Sequence, residues 1–375
     1  MKTRRIVLSG FVLLFFATND VSARIKLVAL PDRANTIIRL DNPSATLVEE
    51  ERILTLKKGS NQVDFSWNGV YIDPDSIRIR MIFYPDNVRL ISLSYPPSEN
   101  ALVWDIYSDS DVMETVRISY LLKYIDRLIT YEGKTNKDET LMEIKMFMVI
   151  RNFSGEDFLK ADIHSGYTDA YNNSIQHEET KKLLMLTRRD VPIKKIMTFD
   201  ANEMPWEPEK QDQTVGIPVT YKISNDKKSG LGEFLLPLGK FRVYQDDGHK
   251  TSIFLGEDSA DLTPIGKEIE ISIGKSRDLK VTQRLAKQNK INLRKNSDNR
   301  IILYDTDEVM EVIIENFKDK DQSINIIEHI PGHWDMEKTS HPYEKEEAEK
   351  IKFDLLIPAQ GKTTLSYHYH RRNLQ

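Results

Sequence analysis

Alternation of apolar and polar side chains at a period of two runs through most of this chain, and it restricts the fold to strands with one buried and one wet face. Ile269, Ile271 and Ile273 alternate with Glu268, Glu270 and Ser272. Phe353, Leu355 and Ile357 repeat the pattern, and Leu365, Tyr367 and Tyr369 resume it after Pro358-Ala359-Gln360-Gly361, so Ile351 to Tyr369 reads as a hairpin. Lys240 to Leu255 reads as another, reversing at Asp246-Asp247-Gly248, where an Asp-Gly step tolerates positive φ. Nearer the N-terminus, strands are expected at Ile37 to Leu40, Ala45 to Leu56, Gln62 to Trp67 and Ser76 to Phe83. Their spacing of about ten residues suits a β-sandwich and not a βαβ unit.

Helical signal is sparse. Its strongest instance is His177 to Arg188, where Leu183, Leu184 and Leu186 sit among charges. Asp200 to Thr214, with Pro205 and Pro208, reads as a linker, and Asp335 to Lys350 as a second irregular stretch. The expected fold is all-β, with tandem antiparallel β-sandwich-like modules and few short helices. Breaks in the pattern place the modules at 24–100, 101–209 and 210–375.

Residues 1–23 have the layout of a signal peptide. Lys2, Arg4 and Arg5 precede the apolar run from Ile6 to Ala17, and Val21-Ser22-Ala23 supplies small residues for cleavage after Ala23. The run is short of the ~20 residues a membrane helix needs, so no membrane span is expected in the mature chain, which would be periplasmic or secreted. The sequence has no cysteine, which excludes a lipid-modified N-terminus and leaves stability to buried apolar area and backbone pairing. Fifty-three Lys and Arg residues are spread among 58 Asp and Glu for a net charge of −5, a balance that argues against a nucleic-acid partner.

Several phrases carry a family resemblance. Lys222-Ile223-Ser224-Asn225, Gly230-Leu231-Gly232, the run Leu236 to Tyr244, Phe254 to Asp258 and Thr263-Pro264-Ile265-Gly266 resemble the domain-of-unknown-function family 4139, the C-terminal domain of bacterial mucoidy inhibitor-like proteins. Glu328-His329-Ile330-Pro331-Gly332 with Trp334, and Phe353 to Tyr369, extend the likeness to the C-terminal end. Glu50 to Phe65, Ile72 to Ser76, Leu102-Val103-Trp104, Ile118-Ser119-Tyr120 and Asn152 to Asp157 extend it upstream. The long coiled-coil insertion of many members is missing here. The resemblance implies an exported β-rich protein and transfers no catalytic residue.

The residues themselves present no recognisable catalytic centre. His329 and His333 have a zinc-like spacing, but Pro331-Gly332 breaks any helix that would align them, and His368 and His370 offer only a pair on one strand face. No metal or other cofactor is therefore expected. His164-Ser165-Gly166 lacks a nucleophile elbow, and Gly230-Leu231-Gly232 is not followed by a helix that could hold a phosphate. Asp246 with Asp247, and Asp305 with Asp307 and Glu308, could form a glycosidase pair only at a separation that sequence does not fix. Trp67 and Trp104 fall in apolar strand contexts. Trp206 and Trp334 lie in loop-like surroundings and are the candidate ligand-binding residues. The expected function is that of an exported, non-catalytic envelope protein binding a protein or polysaccharide, and the alternative is a hydrolase of an envelope polymer using paired carboxylates or a metal.

Overall fold

The computed structural model describes residues 27–375 apart from 43, 168, 204–209 and 213–215. The expected signal peptide, its cleavage site and Trp206 lie outside the described residues. Among those described, the fold is all-β, and two three-residue 3-10 turns, Pro74–Ser76 and Ala201–Glu203, are the helical pieces. The chain forms two compact units that interleave along the sequence. Of the described residues, the first comprises those from 27 to 124 with 154–164 and 170–177, and the second those within 125–153, 165–169 and 178–375.

The first unit contains two sheets. One has the order β1-β4-β7-β6, from β1 (Leu27–Ala29), β4 (Gly59–Ser66), β7 (Ala101–Ser108) and β6 (Val88–Ser94). The other has the order β12-β11-β2-β3-β8-β5, from β12 (Tyr171–Ile175), β11 (Phe158–His164), β2 (Asn35–Arg39), β3 (Thr46–Leu56), β8 (Val112–Leu122) and β5 (Arg78–Met81). Alternation puts Phe65 of β4 and Tyr120 of β8 on inward faces, and their rings meet across the two sheets with centroids 5.9 Å apart. Trp67 and Trp104 pack against the same Phe65, as their apolar strand contexts implied.

The second unit holds three sheets. The first has the order β13-β10-β9-β17-β18, from β13 (Thr180–Pro192), β10 (Leu141–Asn152), β9 (Ile125–Thr135), β17 (Gly239–Asp246) and β18 (Ser252–Ala260). The other two form a sandwich. Its six-stranded sheet runs β19-β16-β14-β22-β25-β24, from β19 (Glu268–Ser276), β16 (Ile217–Ser224), β14 (Lys194–Asp200), β22 (Gln322–His329), β25 (Lys350–Ile357) and β24 (Glu344–Glu347). Its five-stranded sheet runs β15-β20-β21-β26-β23, from β15 (Lys210–Asp212), β20 (Leu279–Lys295), β21 (Ile301–Asn316), β26 (Lys362–Leu374) and β23 (His333–Thr339). Phe199, Ile326 and Phe353 from one sheet share a core with Val312, Ile314 and Leu365 from the other.

Three local expectations change. His177 to Arg188 contributes most of strand β13 instead of a helix. Opposite β13 the register jumps between Met146↔Leu186 and Phe147↔Leu184, which leaves Met185 as the extra residue of a β-bulge. The bulge spaces the buried Leu183 and Leu186 three apart, and that spacing imitates a helical stripe. The expected hairpin at Ile351 to Tyr369 is a crossover, because β25 pairs with β22 and β24 while β26 pairs with β21 and β23 in the facing sheet. The segment from Asp335 to Lys350 is also more regular than its composition suggested, since most of β23 and all of β24 lie in it. By contrast β17 and β18 form the hairpin read at Lys240 to Leu255, with Gly248 at φ +78° in its turn.

Candidate functional site

Strand β3 carries the origin of the candidate site. On the parity that buries Val48, Leu54 and Leu56, the chain places Glu50 and Arg52. A carboxylate at an inward position must be paired to be tolerated there, and Glu50 is fully buried. Arg52 meets it twice, Nε to Oε1 at 3.2 Å and Nη2 to Oε2 at 3.1 Å. Arg33 donates its Nε to the same Oε2. Arg33 then extends outward, reaching Glu156 at 2.8 Å and the Asp157 carbonyl at 3.4 Å, with its guanidinium 5.5 Å from the centre of the Phe158 ring. Burial opposes the charged form of Arg33, but Glu50 and the surrounding groups outweigh it and hold the proton more firmly than usual. The neighbouring Tyr120 phenol is pushed up by burial first and by Glu50 second.

This network forms the wall between two cavities in the first unit. The smaller, about 280 Å³, has an aromatic floor of Phe65, Trp67 and Tyr120, with Arg33, Arg52, Asp64 and Glu156 around it. The larger, about 670 Å³, shares Arg33, Arg52 and Glu156 and continues along Asn35, Thr36, Leu159, Lys160 and Asn172. Strand divergence produces this groove. The parallel pairing of β2 with β11 covers Ile37 to Arg39 against Asp162 to His164, so the preceding residues of the two strands face each other without a ladder. The site therefore combines an aromatic floor, fixed guanidinium and carboxylate groups, and a stretch where β2 and β11 are not paired with each other. Such a set suits a polar ligand with some apolar surface.

A second polar cluster lies inside the sandwich of the other unit. Glu328 follows the inward parity of Ile324 and Ile326, and it accepts hydrogen bonds from the Tyr367 hydroxyl and the Gln283 amide. Burial pushes the Glu328 carboxyl up to about 7, against the pull of those donors. Glu308 accepts from Tyr369 Oη at 2.8 Å and Thr306 Oγ1 at 2.7 Å. Side chains from both sheets enclose these groups. Glu328 is thus an internal polar cross-link between the two sheets, whereas the Glu308 contacts join β21 and β26 within the five-stranded sheet.

The residues singled out from sequence are dispersed. Trp334 lies half-buried in β23, its indole N–H donates to the Ala348 carbonyl at 3.0 Å, and the Lys345 ammonium sits 4.4 Å from its ring centre. His329 ends β22 and contacts Asp200 at 3.1 Å, whereas His333 begins β23 in the opposite sheet. His370 meets Asp307 at 2.9 Å, with His368 3.7 Å from the same carboxylate, and Asp305 is held low by the Asn373 N–H and the Asn292 amide. Asp246 and Asp247 cap the turn after β17 by accepting from Gly248 and His249 N–H. Ser165 falls in the turn after β11, and its hydroxyl oxygen accepts from the Tyr167 N–H.

Sequence reasoning missed Arg33, Glu50 and Arg52, and it weighed Glu328 only as a neighbour of the histidines. The signal was present for Glu50, Arg52 and Glu328, because charges on the inward parity of an otherwise apolar strand face must find partners. No protein-family model matches the chain, and a search of curated proteins finds no similar one.

Proposed function

We propose that this chain is an exported, non-catalytic protein of the bacterial envelope whose β modules bind a protein or polysaccharide partner, and that the groove of the first unit is where the partner is held. The observation that carries the proposal is the two-part cavity built around Arg33, Arg52 and Glu156, with aromatic rings at one end and diverging strands at the other. Its charged groups are already tied to one another, so they offer fixed hydrogen-bonding geometry with little excess charge. The leader-like N-terminus and the resemblance to the mucoidy inhibitor-like proteins support the same reading.

The carboxylates a hydrolase would use are poorly placed for that work. Glu328 and Glu308 are committed to tyrosines inside a sandwich, and Asp246 and Asp247 to a turn. Sedimentation of the purified protein with peptidoglycan sacculi and with anionic envelope polysaccharide tests the proposal. The parent should sediment intact without releasing soluble fragments, and the Leu159→Ala, Lys160→Ala double variant should bind at least about tenfold more weakly, the loss of one good contact. Release of soluble fragments would favour the hydrolase, and equal binding by parent and variant would remove the groove from the account.

A further inference from the structure

The longest hairpin of the second unit ends in a feature that packing does not require. Strand β26 pairs with β21 only as far as Tyr304 opposite Leu374, so Ile301 to Leu303 pair with β20 alone. The tip is well formed even so. Asn296 Oδ1 accepts from Asp298 N–H at 3.0 Å and Arg300 N–H at 2.9 Å, and Asn299 takes a φ of 61° to close the reversal.

Two properties coincide at this tip. Leu293, Ile301 and Ile302 are 49, 50 and 47% exposed beside the turn. Around them stand Lys290, Arg294, Lys295 and Arg300, and between 287 and 304 the only acidic residue is Asp298. Arg294 is paired with Asp305 at 3.5 Å, and Lys290 lies over the Tyr304 ring. Among the described residues, Lys295 and Arg300, which flank the turn, form no ion pair with a carboxylate. In a chain of net charge −5, this is a locally basic arm with aliphatic side chains at its end.

We infer that the β20–β21 tip docks on an anionic phospholipid surface, its aliphatic residues entering the headgroup boundary and its cations meeting lipid phosphates. A soluble polyanion would use the cations but would have no use for three aliphatic side chains held in water. A bilayer surface uses both. The contact is peripheral, since the tip is far too short to cross a bilayer.

Flotation of the full chain with vesicles of equal parts phosphatidylglycerol and phosphatidylcholine, beside phosphatidylcholine alone and soluble dextran sulfate, decides the matter. The anionic vesicles should bind the protein and release it as salt is raised. Each neutralised cation should weaken binding about fivefold, so Lys295→Gln with Arg300→Gln loses about 25-fold. Ile301→Ser with Ile302→Ser should weaken vesicle binding and leave dextran sulfate binding unchanged. Ile302→Trp should add a fluorescence component that shifts to the blue with anionic vesicles, which reports the tip itself whatever the rest of the chain does. An Ile302→Trp emission unchanged by vesicles, or vesicle binding unaffected by the serine pair, would overturn the inference. Capture by dextran sulfate without vesicle binding would overturn it in favour of a soluble anionic polymer.

Discussion

Tyr367 of one sheet donates its phenolic hydroxyl to the Glu328 carboxylate of the facing sheet, inside the sandwich. Burial pushes the phenol well above its ordinary range, with Glu328 adding to the effect, so Tyr367 is the donor of the pair at neutral pH. The carboxyl is the member of the pair that titrates near neutrality.

Stability should therefore contain a component that falls as pH rises. The Glu328 proton is held to about pH 7 in the fold against an ordinary value of 4.5. The contribution is fully present below pH 4.5, is lost as pH rises through 7, and is level above that. The difference corresponds to about 3 kcal/mol. Denaturant melts of the parent and Glu328→Gln from pH 4 to 8 isolate it, because the variant lacks this slope while other carboxylates are unchanged. Parallel pH profiles would show that Glu328 does not carry the titration.

Replacing Glu50 by alanine removes the shared partner of Arg33 and Arg52 and should cost on the order of 3 kcal/mol in a denaturant melt. Glu50→Gln should recover part of that loss, since its carbonyl can still accept from one guanidinium. The surface pair Lys57 with Asp111, 3.0 Å apart, is the control, and Asp111→Asn should leave the melt nearly unchanged. A mild effect of Glu50→Ala would mean the arginines reach water without it.

Glu114 is fully buried and accepts from the backbone N–H groups of Ile82 at 2.6 Å and of Phe83 and Tyr84 at 2.9 Å. Glu114→Ala should destabilise the fold by about 2 kcal/mol and raise amide exchange at residues 82–84 before any other part of that sheet. Uniform acceleration across β5 and β8 would assign Glu114 a wider role than holding this turn.

Gly256 sits where a Cβ would meet the Ile273 carbonyl oxygen at 2.7 Å. Gly256→Ala should cost on the order of 2 kcal/mol, as backbone must shift to admit the methyl group. Gly248→Ala, with no heavy atom within 4 Å of its Cβ but φ at +78°, separates crowding from backbone strain and should cost less.

The strands were legible because one wet and one buried face impose a period of two, and β19 shows it with Ile269 and Ile271 buried between exposed glutamates. Strand assignment to sheets was not legible. The turn at Pro358 to Gly361 is compatible with a hairpin or a crossover, and what decides is the choice of partners by β25 and β26, which is non-local. The parallel pairs of β2 with β11, β9 with β17 and β14 with β22 join segments far apart in the chain, for which local pattern carries no signal. Met185 was hidden for a different reason, since one inserted residue changes the apparent period. The groove needed both kinds of information. Glu50 and Arg52 were readable by parity, whereas the opening between β2 and β11 exists only once those strands are paired.

If the groove of the first unit holds an envelope partner, a photoreactive residue at Leu159 should capture that partner in place. Leu159 is 77% exposed on the groove wall, and Leu356, 63% exposed in the other unit, serves as control. Irradiation of whole cells producing each protein should give one discrete adduct, to a protein or to a glycan, from position 159 and none from 356, and Lys160→Ala should diminish it. No adduct at 159, or the same adducts from both positions, would mean that the groove holds no partner.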